Sequence, residues 1–334
     1  MVKEVGVTKL FKGISVCMPT YKGTDIVTPT LASILAQDYA DFEIIVCNDS
    51  VSDHEQMARL VQDIGDARIK FYPNDRNLGY PHNLRRCVSL ASNELIFLMG
   101  QDDLILGKDV FSRIVDIYNK IPNIGVITRP YYWFFDKENL PNRKSNRCDR
   151  TIISVKDELP YIQAIFQTVG QLSGLVYRKS LITHQFNENV FTAHIYPFLS
   201  VLKTHDCYFW EKDMIAVRTA TSQTRFLSSI YRPSPTKTWM EMFCTVFPEP
   251  EFRRIRDFGI DLLGRNYVGL AQIKNYGHYQ DLLVDILYLI KYRPINLLSP
   301  LFWFFVIGSI IVPRNILRKA VDVYKSRVNQ VIAR

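Results

Sequence analysis

Short apolar runs alternate with helix-period segments through the early part of the chain. Ile14 to Met18 is apolar throughout, too short for a helix, and stopped by Pro19. Thr28 then predicts a helix N-cap, with Pro29 in the first turn and Leu31, Ile34 and Leu35 on the buried face. Glu43 to Cys47 predicts a second buried strand that stops at Asn48-Asp49-Ser50. Residues 53–64 predict a helix, Arg68 to Tyr72 a third strand, Pro81 to Ala91 a helix, and Glu94 to Met99 a fourth strand ending at Gln101-Asp102-Asp103. Strand and helix in alternation make an α/β fold with a mostly parallel sheet and crossover helices.

In open parallel sheets ligands sit beyond the carboxyl ends of the strands. Three successive strand ends here carry Thr20-Tyr21-Lys22, Asn48-Asp49 and Gln101-Asp102-Asp103. Carboxylates without Cys or His suit a hard divalent cation, with substrate phosphates completing its shell. The alternative is that Asp49 and Asp103 merely start loops and cap helices.

The 334 residues are 47% hydrophobic and 22% charged, globular values that exclude a mainly disordered chain. The net charge of +8 would suggest nucleic acid were it spread over the fold. Residues 291–334, however, hold eight Lys and Arg against one Asp, leaving 33 against 32 elsewhere. With no nucleic-acid motif present, that partner is excluded. Six scattered cysteines form no CxxC pair, so neither a zinc site nor a disulfide framework is expected. The N-terminal MVKEVGVTKLFKG lacks an apolar leader core, which predicts a cytoplasmic location.

The order of these motifs resembles the inverting family-two glycosyltransferases of GT-A fold, of the bacterial surface-polysaccharide type. The matching residues are Ser15 to Tyr21, Glu43 to Ser50, Asn77-Leu78-Gly79 with Asn83, and Phe97 to Leu104, within a resemblance covering roughly residues 12–225. It implies that Pro19, Thr20 and Tyr21 shape a nucleotide pocket and that Asp49 accepts hydrogen bonds from the base, with Asn48 replacing the family's first aspartate. Asn77, Gly79 and Asn83 belong to the same nucleotide-sugar site by this resemblance. Asp103 would hold Mn2+ or Mg2+, with Asp102 nearer the ribose. Gln101 stands where many relatives place another aspartate, which removes a potential ligand.

The family's usual base is an aspartate in a Glu-Asp pair, and the corresponding window has none. Pro197-Phe198 resembles the tail of that motif, which puts His194 on its glutamate and Ile195 on its aspartate. A neutral imidazole can act as base near neutral pH, so His194 is one candidate and Asp206 the other; the alternative for each is an ordinary packing or turn residue. Gly170 to Leu175 resembles the stretch before the acceptor loop, or is simply a turn leading into a strand. Arg218 resembles the arginine that ends the family's last strand, with Arg225 and Arg232 as alternatives for the diphosphate. His82 reads as a surface residue at a helix start. Tyr131 to Phe135 reads as a core or edge strand before a sugar-stacking surface.

Pro294 to Pro313 is a run of 20 residues without a charge. That length could just cross a bilayer, but Asn296, Ser299, Pro300 and Gly308 interrupt it. Ile316, Leu317, Ala320, Val321, Tyr324 and Val328 follow at helical spacing, with Arg318, Lys319, Lys325 and Arg327 on other faces. An apolar insert before a basic amphipathic helix predicts attachment to an anionic membrane surface, by shallow insertion ahead of a true span or a buried helix. The organisation expected is a GT-A domain over residues 1–230, a helical region over 231–290 and a membrane-associating tail over 291–334. The function expected is transfer of a sugar from a nucleotide-diphosphate sugar donor to a glycan or lipid-linked acceptor, on the cytoplasmic face of the plasma membrane. A catalytically inactive sugar-nucleotide or glycan-binding module is the alternative.

Overall fold

The computed structural model describes residues 10–135, 137–182, 186–189, 192–220 and 228–321. Its strands are β1 (Ile14–Thr20), β2 (Phe42–Asn48), β3 (Ile69–Pro73), β4 (Leu95–Leu98), β5 (Leu104–Ile105), β6 (Ile124–Thr128), β7 (Tyr131–Phe134), β8 (Arg143–Lys144), β9 (Ile152–Ile153), β10 (Val176–Arg178), β11 (Asp206–Phe209) and β12 (Ile215–Arg218). The helices are α1 (Val27–Leu35), α2 (His54–Ile64), α3 (Tyr80–Leu90), α4 (Val110–Lys120), α5 (Leu159–Thr168), α6 (Ile195–Leu202), α7 (Pro235–Val246), α8 (Arg253–Leu263), α9 (Val268–Tyr276), α10 (Tyr279–Tyr292) and α11 (Pro300–Ile311).

An eight-stranded sheet runs in the order β3-β2-β1-β4-β10-β6-β11-β9. The first four strands are mutually parallel, and β10 is antiparallel to both β4 and β6, which makes the sheet mixed. Both faces are covered, so the central strands are apolar on both sides rather than alternating. Cys17, Ile45, Ile96 and Leu98 pack under α3, α5, α6, α7 and α8. Val16, Met18, Ile44 and Phe97 pack on the other face with α1, α2 and α4. A smaller sheet, β5-β12-β7-β8, closes one edge of the site.

Each expected strand is present within two residues of its bounds. Thr28, however, lies inside α1 rather than capping it, because the backbone N–H groups of Ile26 and Val27 both turn back to the Gly23 carbonyl and start the helix earlier. Tyr131 to Phe134 is a strand between β12 and β8.

The C-terminal helices pack in two places. Helices α7 and α8 belong to the sheet core, whereas α9, α10 and α11 enclose their own cluster around Tyr267, Leu282 and Phe302. Asp285 of α10 ties the two together by accepting from Ser234 Oγ at 2.5 Å, Thr236 N at 3.0 Å and Thr236 Oγ1 at 2.8 Å. The uncharged run is broken into a 3-10 turn, Pro294–Leu298, and the 12 residues of α11. Among the described residues no helix is long and apolar enough to cross a membrane. Tyr324, Lys325, Arg327 and Val328 lie outside the described residues.

Candidate active site

At the carboxyl ends of β1 and β2 the chain builds a polar floor. Thr20 Oγ1 donates to Cys47 O and lies 3.3 Å from Asn48 Oδ1, while Asn83 Nδ2 donates to Cys47 O at 2.9 Å. Asp49 is buried and takes three hydrogen bonds: Asn74 Nδ2 at 2.8 Å and Leu78 N at 2.7 Å on Oδ1, and Gly79 N at 2.8 Å on Oδ2. A carboxylate has about four acceptor positions, so these three leave one on Oδ2. Gly79 sits at φ 79°, where a side chain would be strained, and precedes Pro81 in the first turn of α3. Asn77 Oδ1 also accepts from Gly79 N. The Asn77-Leu78-Gly79 loop is thus held against β2 by Asp49 itself. Asp53, which the sequence did not single out, receives Asn48 Nδ2 at 2.9 Å and Thr24 Oγ1 at 3.0 Å.

The end of β4 faces this floor. Gln101 Oε1 accepts from Tyr21 N at 2.8 Å and its Nε2 donates to Tyr21 O at 3.1 Å. The side chain therefore pairs with the Pro19-Thr20-Tyr21 turn as another strand would, a task an aspartate could do only by half, since a carboxylate has no donor.

Asp103 is 3% exposed. Its Oδ2 accepts from Ser173 Oγ at 2.5 Å and Gln171 Nε2 at 2.9 Å, and its Oδ1 from Arg218 N at 3.0 Å. Burial, with the Asp102 charge beside it, pushes the Asp103 carboxyl up to about 8. Two neighbouring carboxylates, one of them buried, fit a divalent cation as donors. Among the described residues no group of three His, Cys, Asp or Glu gathers to hold a metal, so phosphate oxygens would supply the remaining ligands. Arg218 ends β12 as expected, with its guanidinium 5.3 Å from the Phe134 ring. Its buried Nε has no acceptor among the described residues. Arg225 lies outside the described residues, and Arg232 is bound to Asp281 of α10 at 2.6 Å.

Behind Asp103 stands Arg129, fully buried and unforeseen from the sequence. Its Nε donates to Ser173 O at 2.5 Å, Nη1 to Thr168 O at 3.2 Å and Nη2 to Gln171 O at 2.8 Å. Burial lowers its guanidinium to about 10, still charged at neutral pH. Three carbonyls on one guanidinium fix the loop that carries Gln171 and Ser173 to Asp103. Gly174 closes that loop at φ 84°, and a Cβ there would lie 2.7 Å from Ile215 and 2.8 Å from Arg129. The Gly170 to Leu175 stretch is therefore both the turn into β10 and a part of the site.

The two base candidates fare differently from expectation. Asp206 opens β11 and accepts from Asn123 Nδ2 at 2.8 Å. Because β11 runs parallel to β6, and β6 parallel to β4, Asp206 lies at the end of the sheet opposite Asp103. His194 is 4% exposed at the start of α6. Its Nε2 lies 3.1 Å from Val169 O, and a carbonyl can only accept, so Nε2 carries the proton and Nδ1 accepts from Tyr80 OH at 3.0 Å. Both nitrogens are engaged, and burial lowers the imidazole to about 4. His194 is thereby a latch joining α3, α5 and α6 rather than a poised base.

The folded-state value of about 4 lies below the unfolded 6.5, so the unfolded chain binds more protons between these values and stability falls as pH drops through that window. The expected loss is about 3 kcal/mol from pH 7 to pH 4. His194→Gln should flatten that slope in urea unfolding at the two pH values, and an unchanged slope would contradict the buried neutral state.

The chain is similar to known proteins in sequence and in fold. The family model described as glycosyl transferase family 2 matches residues 15–183, just over half of the chain. UDP-Glc:alpha-D-GlcNAc-diphosphoundecaprenol beta-1,3-glucosyltransferase WfgD of Escherichia coli is 30% identical over 101 residues, 30% of this chain and 39% of that protein. The match spans well under half the length of this curated relative. The crystal structure of S. aureus TarS 1-349 in complex with UDP is similar with a TM-score of 0.63 at 15% identity, covering 93% of this chain and 91% of that one. The mannosyltransferase PcManGT from Pyrobaculum calidifontis in complex with GDP-Man and Mn2+ gives 0.52 at 14% identity over 91% and 87%. These likenesses show an α/β GT-A-like fold built on a large mixed sheet, and with the family match they establish that the chain belongs to glycosyl transferase family 2.

Proposed function

We propose that this chain transfers a sugar from a nucleotide-diphosphate sugar to a glycan acceptor, the sugar end of a lipid-linked chain in its membrane setting, with inversion at the anomeric carbon. The observation that carries this reading is the convergence of Asp102-Asp103, the Thr20-Tyr21 turn and the Asp49-held loop at adjacent strand ends. The floor of Thr20, Asn48 and Asp49 receives the nucleoside, with the remaining Oδ2 position of Asp49 as acceptor. Asp103, with Asp102, would hold Mn2+ or Mg2+ against the diphosphate. A bound cation would offset the negative charge that develops on the departing diphosphate. Arg218, whose backbone N–H donates to Asp103, is the cationic residue that would meet the diphosphate on this side. The names of the relatives support this reading: TarS is seen with UDP, PcManGT with GDP-Man and Mn2+, and WfgD is named for a diphosphoundecaprenol acceptor.

A second reading, a binding module without turnover, is favoured by one observation. Ile195 stands where the resemblance puts the base, beside a neutral, fully engaged His194. Release of UDP from UDP-sugars separates the two. The transferase reading expects slow metal-dependent hydrolysis even without acceptor, whereas binding with no release would establish the module.

The C-terminal helices support a membrane partner. Leu298 is 81% exposed, Phe304 70% and Ile311 71%, and Leu287 of α10 and Leu301 join them. Lys291, Arg314, Arg318 and Lys319 lie just before and after the exposed apolar stretch in sequence. Exposed apolar side chains on a segment bounded by cations suit the interface of an anionic bilayer, and we infer attachment to the cytoplasmic face of the plasma membrane. Leu298→Glu with Phe304→Glu should cut co-sedimentation with anionic vesicles at least tenfold without unfolding the chain, since both side chains are exposed. Unchanged partitioning would refute the assignment.

A further inference from the structure

The outer face of α3 forms one wall of a cleft of about 770 Å3. His82, Arg85 and Arg86 lie on this face at helical spacing, opposite the buried Leu84, Cys87 and Val88, and Arg76 approaches from the loop before the helix. Asn77 and Leu78 also line the cleft, so it opens beside the loop that Asp49 holds. None of the lining residues is acidic, and the one ring among them is the His82 imidazole.

The cations are partly fixed in place. Arg86 Nη1 donates to Pro73 O at 3.2 Å and to Asn74 Oδ1, both neutral oxygens. Arg85 Nη2 lies 3.2 Å from His82 Nδ1; a guanidinium only donates, so Nδ1 accepts and Nε2 keeps the proton of a neutral ring. Three permanently charged guanidiniums along one concave wall repel one another and present forked donors, the geometry that phosphate oxygens match bidentately. Lacking a carboxylate, the cleft does not suit a metal, and its one ring, the His82 imidazole, is engaged by Arg85.

We propose that this groove binds the phosphate groups of the acceptor, a phosphodiester chain or a pyrophosphate, and so guides its sugar end toward the strand-end cleft. The proposal rests on the reading of that cleft as the donor site. A volume of about 770 Å3 exceeds what one phosphate fills, which favours a ligand with more than one phosphate or with a sugar attached.

The test uses the full chain, with linear polyphosphate as the soluble probe and phosphatidylcholine vesicles with or without polyprenyl pyrophosphate as the lipid probe. Arg76→Gln with Arg85→Gln removes two exposed charges and leaves Arg86, which braces Asn74, in place. The parent should bind polyphosphate with an affinity that falls with salt. The double variant should bind it at least tenfold more weakly while keeping the parent's affinity for UDP. Preferential capture by pyrophosphate vesicles would assign the phosphate to a lipid headgroup, and polyphosphate binding without that preference to a soluble phosphodiester chain; both outcomes support the groove. No polyphosphate binding by the parent, or equal binding by the variant, overturns it. Loss of UDP binding in parent and variant alike would count against the donor reading instead, with the polyphosphate comparison still deciding the groove.

Discussion

Asp103→Asn is expected to lower metal-dependent turnover of the nucleotide sugar by about 10²–10³-fold, the loss typical when one preorganised electrostatic contact to the developing charge is removed. The fold should survive. The buried Asp103 carboxyl is already pushed toward its neutral form, and an amide keeps an oxygen for Arg218 N while Ser173 Oγ can turn to accept. Stability without metal should therefore stay within about 1 kcal/mol of the parent, roughly one hydrogen bond. Equal turnover in the two proteins would remove Asp103 from the mechanism.

Arg129→Met should have the largest effect on folding. A thioether fills part of the volume but satisfies none of the carbonyls of Thr168, Gln171 and Ser173, and unsatisfied buried acceptors cost about 1–3 kcal/mol each. A loss on the order of 3 kcal/mol or more is expected in urea unfolding. The loop released is the one that carries Gln171 and Ser173 to Asp103, so UDP affinity should fall as well, although Arg129 is behind the site. A variant as stable as the parent would show that the guanidinium is not the clamp the geometry makes it.

The strands were legible in the sequence because a strand buried on both faces is a short continuous apolar run, and Ile14 to Met18 and Glu43 to Cys47 needed no tertiary information to be recognised. The strand-end position of Asp49 and Asp103 followed from the same runs. Their partners did not. Gln171 and Ser173 reach Asp103 across about 70 residues of sequence, a pairing that only the insertion of β10 between β4 and β6 creates. Arg129 left one faint signal, a charge directly after the buried strand Ile124–Thr128, which reads equally well as a solvated strand end. His194 is a candidate base in the sequence because imidazole chemistry is visible there, whereas its burial against Val169 and Tyr80 is not. Asp206 opens β11, and only the sheet topology shows that this start lies at the end opposite Asp103. The tail's length was read correctly, but Pro300 divides it and leaves a helix of 12 residues, about 18 Å and too short for a bilayer.

The central claim is that the cleft between the ends of β1, β2 and β4 binds a nucleoside diphosphate through a cation held at Asp102 and Asp103. Calorimetric titration of the full chain with UDP, in Mn2+ and then in excess chelator, tests it most directly. Binding at least tenfold tighter with Mn2+, a difference of about 1.4 kcal/mol or more that Asp103→Asn abolishes, is the predicted result. Equal affinity in Mn2+ and in chelator, or a metal effect that persists in Asp103→Asn, would contradict it.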